Sequence, residues 1–398
     1  MLNNYDPYVI AGPTQGGQFP PGLNTADPPT DLRADESPDC YGLDLTKEGR
    51  IAVGTIPTGT ARIARTFAAT AWANNTAYAI NDVVTSGAAT YLCKTAHTSI
   101  VSPGVFATDA ANWTAATFYQ FYNRLWRMVT DASTYGHYLW YGAPNYDDTL
   151  YEQDFSRLML ENNGAAGGPV AICAFGSDSI AVGFAVGGYI VSNCADNRGY
   201  FQRSDINQQL GCASMNRMTT LDGLLVVSNA GGLIGFDGNK TVELTAAVRN
   251  DLTNFASTDL TVDYQKHWII GGTSFVYDIT AKKVYRWSGT DFRFTSRQFH
   301  APDYSPMVVD RLVFHVEHAD DQYGSFAYEI KREDGAWEDA VTINCQYTDE
   351  RYSVITEDLA TVTSSRRFQV RLSALTANLY IKEIRVDAAA FRFDGYSV

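Results

Sequence analysis

From about Asn123 onward the apolar positions recur as a unit: a turn residue, a short apolar run, a Gly or polar break, then a second apolar run. The instances are "NRLWRMVTD", "SDSIAVGFAVGGYIVSN", "LDGLLVVSNAGGLIGFDGN", "YQKHWIIGGTSFVYDITAKKVYRW" and "VDRLVFHVEH". They start near positions 123, 177, 220, 263 and 308, so the last three intervals are 43, 43 and 45 residues. A period of about 40 to 50 residues, each holding several short strands, predicts the blades of a β-propeller. One small twisted sheet cannot cover both of its faces, whereas neighbouring sheets bury each other's. Asp237-Gly238, between two apolar runs, predicts a hairpin turn, and Gly231-Gly232 permits the turn before it. A parallel α/β fold needs helices of ten or more residues between strands, and "TLYEQDFSRLMLENNG" is the one weak candidate.

The rest of the chain departs from this rhythm. Residues 1–40 are rich in Pro, Gly, Asn and Asp, with "FPPG" and "DPPTDL" as breakers, and read as an extended arm that lies along another surface. After Pro302 the period fades, and "RFQVRLS" and "LYIKEIRVD" alternate charged with apolar residues, as in a sheet with one wet face. The expected organisation is all-β: an arm over 1–40, a β-propeller over 41–67 and 117–305, a small β module inserted at 68–116, and a C-terminal β-sandwich-like domain over 306–398. Removing the insert would join two strand-like segments, which is what an inserted domain with adjacent ends allows.

At 398 residues, 45% apolar and 13% aromatic, the chain is long enough for two or three domains. No run of about 18 apolar residues suggests a membrane span. The opening "MLNNYDPYVIAGPTQGGQFPPG" lacks the basic and apolar regions of a signal peptide, so the chain is expected to fold where it is made. Cys40, Cys93, Cys173, Cys194, Cys212 and Cys345 form no C-x-x-C pair and read as reduced, structural thiols. A net charge of −14 argues against gripping nucleic acid through many phosphate contacts. It serves solubility or, in a sharper reading, a wall that repels DNA and lets a duplex slide past.

Signatures of catalysis are sparse. The sequence has no P-loop, no G-x-G-x-x-G, no H-E-x-x-H and no G-x-S-x-G elbow. In "HVEH" a strand would put His315 and Glu317 on one face and His318 on the other, so no metal site is expected. Two acidic clusters, Asp147, Asp148, Glu152 and Asp154, and Glu317, Asp320 and Asp321, could hide glycosidase carboxylates, but those need set separations across a cleft, and solvated loops explain them. "FDGN" lacks the alternating acids of a calcium loop. His97, His137, His267 and His300 have no visible partners. The expectation is a chain with no enzyme activity, no catalytic residue and no cofactor.

The insert resembles the small chitin-binding-type carbohydrate-binding modules found beside bacterial chitinases. The match rests on Trp72, Tyr78, the "NDVV" run from Asn81 to Val84, Gly87, "TYLC" with Tyr91, "AHTS" from Ala96 to Ser99, and "DAANW" ending at Trp113. The resemblance implies aromatic side chains stacked on sugar rings, which makes Trp72, Tyr78, Tyr91 and Trp113 the candidate carbohydrate-binding residues. The pattern departs at "KTAHTS", which lacks the usual aromatic pair, and at Asn81, where the family has Gly. Core packing of so small a domain is the competing role for the same four aromatics.

With the insert set aside, the chain resembles the β-propeller tail-hub, or nozzle, proteins of tailed, particularly short-tailed, double-stranded-DNA bacteriophages. Three passages carry the likeness: "PPTDLRADESPDCYGLDLTKEGRIAVG" (Pro28 to Gly54), "LGCASMNRMTTLDGLLVVSNAGGLIGFDGNKTVELT" (Leu210 to Thr245), and "FTSRQFHAP" with the later "RRFQVRLSA" and "NLYIKEIRVD". The resemblance implies a homo-oligomeric ring, usually a hexamer, in the virion tail, assembled in the host bacterial cytoplasm. Its implied partners are the adaptor ring and portal, tail fibre or tip proteins, and packaged DNA that passes through without specific binding; the inserted module adds a host-surface glycan. Loops that gate DNA cannot be assigned to positions. The alternative is a secreted or virion-associated propeller lectin, or a polysaccharide-degrading enzyme targeted by the inserted module.

Overall fold

The computed structural model describes residues 6–11, 22–23, 36–45, 50–54, 56–61, 70–122, 124–129, 138–142, 156–160, 167–196, 198–206, 208–248, 255, 258–272, 274–287, 292–300, 306–320, 322–333, 335–346, 351–359 and 364–390. The chain is all-β. Among the described residues the one α-helix is Phe106–Asp109, a single turn. Two compact units divide the chain, one of Gly59–Leu244 with Asn254–His267, the other of Met1–Thr58, Thr245–Thr253 and Trp268–Val398.

The first unit is built from antiparallel sheets in which consecutive strands are neighbours. Ala171–Ala174, Ser179–Gly183, Gly188–Ser192 and Gln202–Ile206 form one four-stranded sheet, and Met218–Leu221, Leu224–Asn229, Gly232–Phe236 and Thr241–Glu243 form the next. The former is nearly all apolar because both its faces are covered. Ile172, Ile180, Val182, Tyr189 and Val191 pack on one side with Trp126, Met128 and Leu139 from the preceding sheet. Their alternates Ala171, Cys173, Ala181 and Ile190 pack on the other with Met218, Leu225, Val227 and Ile234 from the following one. Strand alternation sends successive residues to opposite faces, so stacked small sheets of the propeller type require just this double pattern.

Turn chemistry fits the meander. Asp222 and Gly223 both have positive φ (53° and 77°), as a two-residue hairpin between Met218–Leu221 and Leu224–Asn229 demands. At the next turn Asp237 Oδ1 accepts the backbone N–H groups of Asn239 and Lys240. Gly211 is required by contact, since a Cβ there would lie 2.4 Å from the Ala185 carbonyl oxygen. Arg124, 3% exposed, joins the sheet of Arg124–Val129 and Tyr138–Tyr141 to the loop between Gly188–Ser192 and Gln202–Ile206: its guanidinium donates to the Gly142 and Asp196 carbonyls and lies over the Tyr141 and Phe201 rings.

The candidate helix does not form where the chain is described. Ser156–Met159 is a strand paired with Tyr138–Tyr141, and the flanking residues 149–155 and 161–164 lie outside the described residues. Pairing with an existing sheet edge overrides the weak helical pattern of so short an apolar run.

The inserted module is not a bead on a linker. Strand Trp113–Phe121 pairs through its first residues, Trp113–Ala115, with Ala89–Cys93 of the module, and through Ala116–Phe121 with Arg124–Val129. One strand therefore belongs to both sheets, which merge into a seven-stranded sheet that ends at Ser156–Met159 on one side and Thr70–Ala71 on the other.

In the second unit Trp268–Gly271, Phe275–Asp278 and Lys283–Arg286 pair in sequence, and Leu23 pairs with Val284. The C-terminal region forms two further sheets. One has the order Asp6–Ala11, Leu379–Ala390, Met307–His318, Tyr352–Asp358; the other runs Val341–Cys345, Gly324–Arg332, Phe368–Ser373, Arg293–Thr295, Cys40–Tyr41. Phe314 from one meets Phe326 from the other at 5.0 Å between ring centres, edge to face. Segments 6–11 and 40–41 thus take their places as strands beside residues more than 250 positions away.

Passage "ESPDCYG" is a clasp. Asp39 receives Arg286 Nη2 at 2.9 Å and Arg293 Nη1 at 3.4 Å, and both guanidinium groups lie over the Tyr41 ring. Ser37 donates its hydroxyl to the Thr295 carbonyl, and Ile51 exchanges two backbone hydrogen bonds with Ile381.

Two substitutions test this packing. Ile180→Ala, at a fully buried position, is expected to cost about 2–5 kcal/mol of unfolding free energy in urea titration. Val242→Ala, at a 44% exposed position, should cost under about 0.5 kcal/mol. Equal effects would contradict the stacked-sheet core.

Candidate functional site

The four aromatics singled out in the sequence do come together, and a carboxylate explains why. Asp109, 6% exposed, accepts on Oδ2 the indole N–H of Trp72 (3.0 Å) and of Trp113 (3.1 Å), with His97 Nε2 at 2.9 Å; its Oδ1 accepts from Asn112 at 3.0 Å. The single-turn helix delivers Asp109 from "FATD", and strand Trp113–Phe121 begins four positions later. Burial alone would raise its pKa. The bonds from Trp113, His97, Asn112 and Trp72 outweigh that and hold it at about 2, below the ordinary 3.8.

Around this anchor the rings pack on each other. Tyr78 meets Trp113 edge to face at 4.9 Å, Tyr91 meets Phe106 at 4.4 Å, and Trp72 meets Phe106 edge to face at 6.0 Å. The Tyr78 hydroxyl accepts from the Ala73 N–H. Trp113 is buried, whereas Trp72, Tyr78 and Tyr91 are half-buried. Beneath them Val84 and Cys93 complete the cluster. These aromatics form one part of the module's core, held by one carboxylate, while Val83 and Leu92 pack with Ala116, Phe118, Leu125 and Val129. Ile80, Ile100, Val101 and Val105 stand 42–70% exposed on the same module.

Cys93, His97 and Asp109 lie in series, with Cys93 Sγ 3.7 Å from His97 Nδ1. They do not make a nucleophile and base. The thiol is fully buried, burial pushes its pKa up, and it donates to the Thr95 carbonyl, which also takes His97 Nδ1 at 2.7 Å.

Other candidates resolve differently. His97 and His267 both have partners, contrary to the expectation: Asp109, and Asp222 at 2.6 Å from His267 Nδ1. Both acids lie far along the chain, 12 and 45 positions away, so no local motif announces them. Glu317 of "HVEH" is fully buried beneath three cations, Arg50 at 2.9 Å, Arg351 at 2.9 Å and Lys382 at 3.5 Å. Asp320 caps a turn by accepting from the Gln322 N–H and from Asn378 Nδ2. Asp321, His137 and the cluster Asp147, Asp148, Glu152 and Asp154 lie outside the described residues. Among the described residues no three His, Cys, Asp or Glu side chains gather as a metal site. All six cysteines are buried, and burial pushes Cys40 and Cys194 up to about 12 and Cys345 to about 11.

No protein-family model matches the chain, and no curated protein matches it. Solved structures similar to it include an exo-β-1,3-galactanase from Phanerochaete chrysosporium (10% identity, 75% of this chain and 78% of that one, TM-score 0.22). Another is a glycoside hydrolase family 43 arabinoxylan arabinofuranohydrolase from Bacillus subtilis (8% identity, 69% and 76%, TM-score 0.20). A third is TmCBM61 in complex with β-1,4-galactotriose (14% identity, 34% and 82%, TM-score 0.17). These likenesses concern strand arrangement alone. Against the expectation of a chain with no enzyme activity, glycoside hydrolases stand among its structural neighbours. Glycosidase carboxylates act as a pair set by distance in space, which leaves no fixed spacing in sequence.

The anchor makes a pH prediction. A carboxylate whose folded-state pKa lies below its unfolded value stabilises the fold above the unfolded value, and that contribution is lost as pH falls. The Trp72 and Trp113 indole N–H resonances should therefore lose their folded positions as pH drops from about 4 towards about 2. Asp109→Asn should abolish that acid step; an unchanged step would place its origin elsewhere.

Proposed function

We propose that the chain is a structural subunit of a tailed-bacteriophage virion: a tail hub or nozzle protein that assembles into a ring below the adaptor and portal, retains packaged DNA and gives it an exit channel. What supports this reading is where the residues of resemblance fall. In "DESPDCYG" they are Ser37, Cys40 and the Asp39 clasp. In "LGCAS…DGLLVVSNAGGLIGFDGN" they are Gly211, buried Cys212 and a whole four-stranded sheet. In "FTSRQF" and "RRFQVRLS" they are Ser296 and Phe299, locked to Val370 and Phe368 by reciprocal hydrogen bonds. The likeness thus lies in framework residues, which specify a rigid scaffold. The −14 charge keeps a passing duplex from adhering. In this reading the partners are further copies of the chain, six in the family it resembles, with the adaptor, the portal and tail fibre or tip proteins.

A second reading has its own observation. Trp72, Tyr78 and Tyr91 are half-buried in a module fixed to its neighbouring sheet by a shared strand, a rigid mount for a glycan contact. This makes the chain a propeller lectin or a polysaccharide-degrading enzyme targeted by its module, with a host-surface glycan as ligand.

Cryo-electron microscopy after co-expression with the portal and adaptor of a tailed phage tests the first reading. Rings of this chain below the adaptor are expected; a chain that never joins a portal-containing assembly contradicts it. Glycan-array binding that Tyr78→Ala removes, or turnover of chitin, galactan or arabinoxylan by purified protein, would favour the second.

A further inference from the structure

Among the described residues the C-terminal sheet ends in an open edge. Strand Tyr352–Asp358 pairs on one side with Met307–His318, from Arg311↔Asp358 to Glu317↔Tyr352 without a register shift, and is outermost in its sheet among the described residues. Its seven residues, YSVITED, contain no Pro or Lys, and the charges Glu357 and Asp358 are confined to one end. Exposed edges usually carry charges, a Pro or a bulge, because an open row of N–H and C=O groups is a template for another strand, so the 352–356 stretch is the unguarded part. The outward row is apolar at one end, with Tyr352 53% and Val354 62% exposed. The inward row, Ser353, Ile355 and Glu357, overhangs a groove of about 390 Å³ whose other wall is Thr342–Gln346.

Charge along this edge is split. Arg351 and Lys382, which share Glu317, flank the Tyr352 end, with Lys382 Nζ 4.4 Å from the Tyr352 ring centre, while Glu357 and Asp358 stand at the other, where Arg311 pairs with Asp358 at 2.9 Å. A strand flanked by two cations at its start, with two acids and one arginine at its end, is complementary to its own antiparallel copy.

We propose that this edge is a self-association surface, at which Tyr352–Asp358 pairs antiparallel with the same strand of a second copy about a twofold axis through Ile355. The register sets Tyr352 opposite the partner's Asp358, Ser353 opposite the partner's Glu357 and Val354 opposite the partner's Thr356. No like charges face each other, and the acidic end of each strand lies beside Arg351 and Lys382 of the other. An isologous contact repeats each of these interactions twice. One strand pair buries less than the ~1,600 Å² of a standard interface, so the dimer is a weak one that forms at high protein concentration. The contact needs neither a portal nor a glycan, so it stands or falls apart from both functional readings.

Sedimentation velocity of the full chain across roughly 1–200 μM is the test. At the high end the wild type is expected at twice the mass of Val354→Lys, an exposed-site variant that keeps the fold by circular dichroism and weakens pairing about tenfold or more. Raising the salt should weaken the wild-type dimer, and the backbone amides of 352–358 should gain hydrogen-exchange protection with concentration. Equal masses for wild type and Val354→Lys overturn the proposal. So does a dimer that Val341→Lys on the neighbouring edge dissolves instead, or a monomer that captures an extended peptide of another protein at this edge.

Discussion

A small β-sheet has two faces and no means of covering either by itself; the first unit is organised around that constraint. Sheet Ala171–Ile206 shows it most plainly, because its alternate residues serve two different neighbours: Ile180 and Val182 one way, Ala181 and Ile190 the other. Hydrophobic burial scales with apolar area removed from water, and a sheet covered on one side would forgo half of it. The continuous apolar runs, the short turns and the glycine at 211 are all consequences of stacking sheets this closely.

Where apolar area is scarce, charge takes over as the organiser. In the inserted module, Asp109 gathers two indoles, an imidazole and an amide, and so fixes the orientation of rings that would otherwise pack loosely. Asp39 does the same for two arginines in the clasp, and Glu317 for three cations beneath the C-terminal sheet. Asp109 and Glu317 are buried, so removing their partners would leave an uncompensated charge, whereas Asp39 keeps 29% of its side chain exposed to water. The module's aromatics therefore have a structural task before any sugar reaches them.

This difference explains what the sequence disclosed. Repeating apolar runs and turn dipeptides are local, so the all-β class and the blade-like sheets could be read from periodicity. The candidate helix around Ser156 failed because four apolar-flanked residues pair with a strand as readily as they coil. Asp109, Asp39 and the acid partners of His97 and His267 were invisible for another reason. Asn112 and Trp113 stand close to Asp109 in sequence, but Trp72 lies 37 positions from it, Arg286 247 from Asp39, and the acids of His97 and His267 12 and 45 away, and nothing in a carboxylate's neighbours along the chain reports such donors. Catalysis shares that obscurity, since a glycosidase pair is likewise a distance in space.

Native-state hydrogen exchange followed sheet by sheet tests the stacking account most directly. Strands Ala171–Ala174, Ser179–Gly183 and Gly188–Ser192, covered on both faces, should hold the slowest amides of the first unit and open together with Leu224–Asn229 and Arg124–Val129 at one free energy. Separate opening of each sheet at its own free energy, with the doubly covered strands no slower than their neighbours, would contradict it.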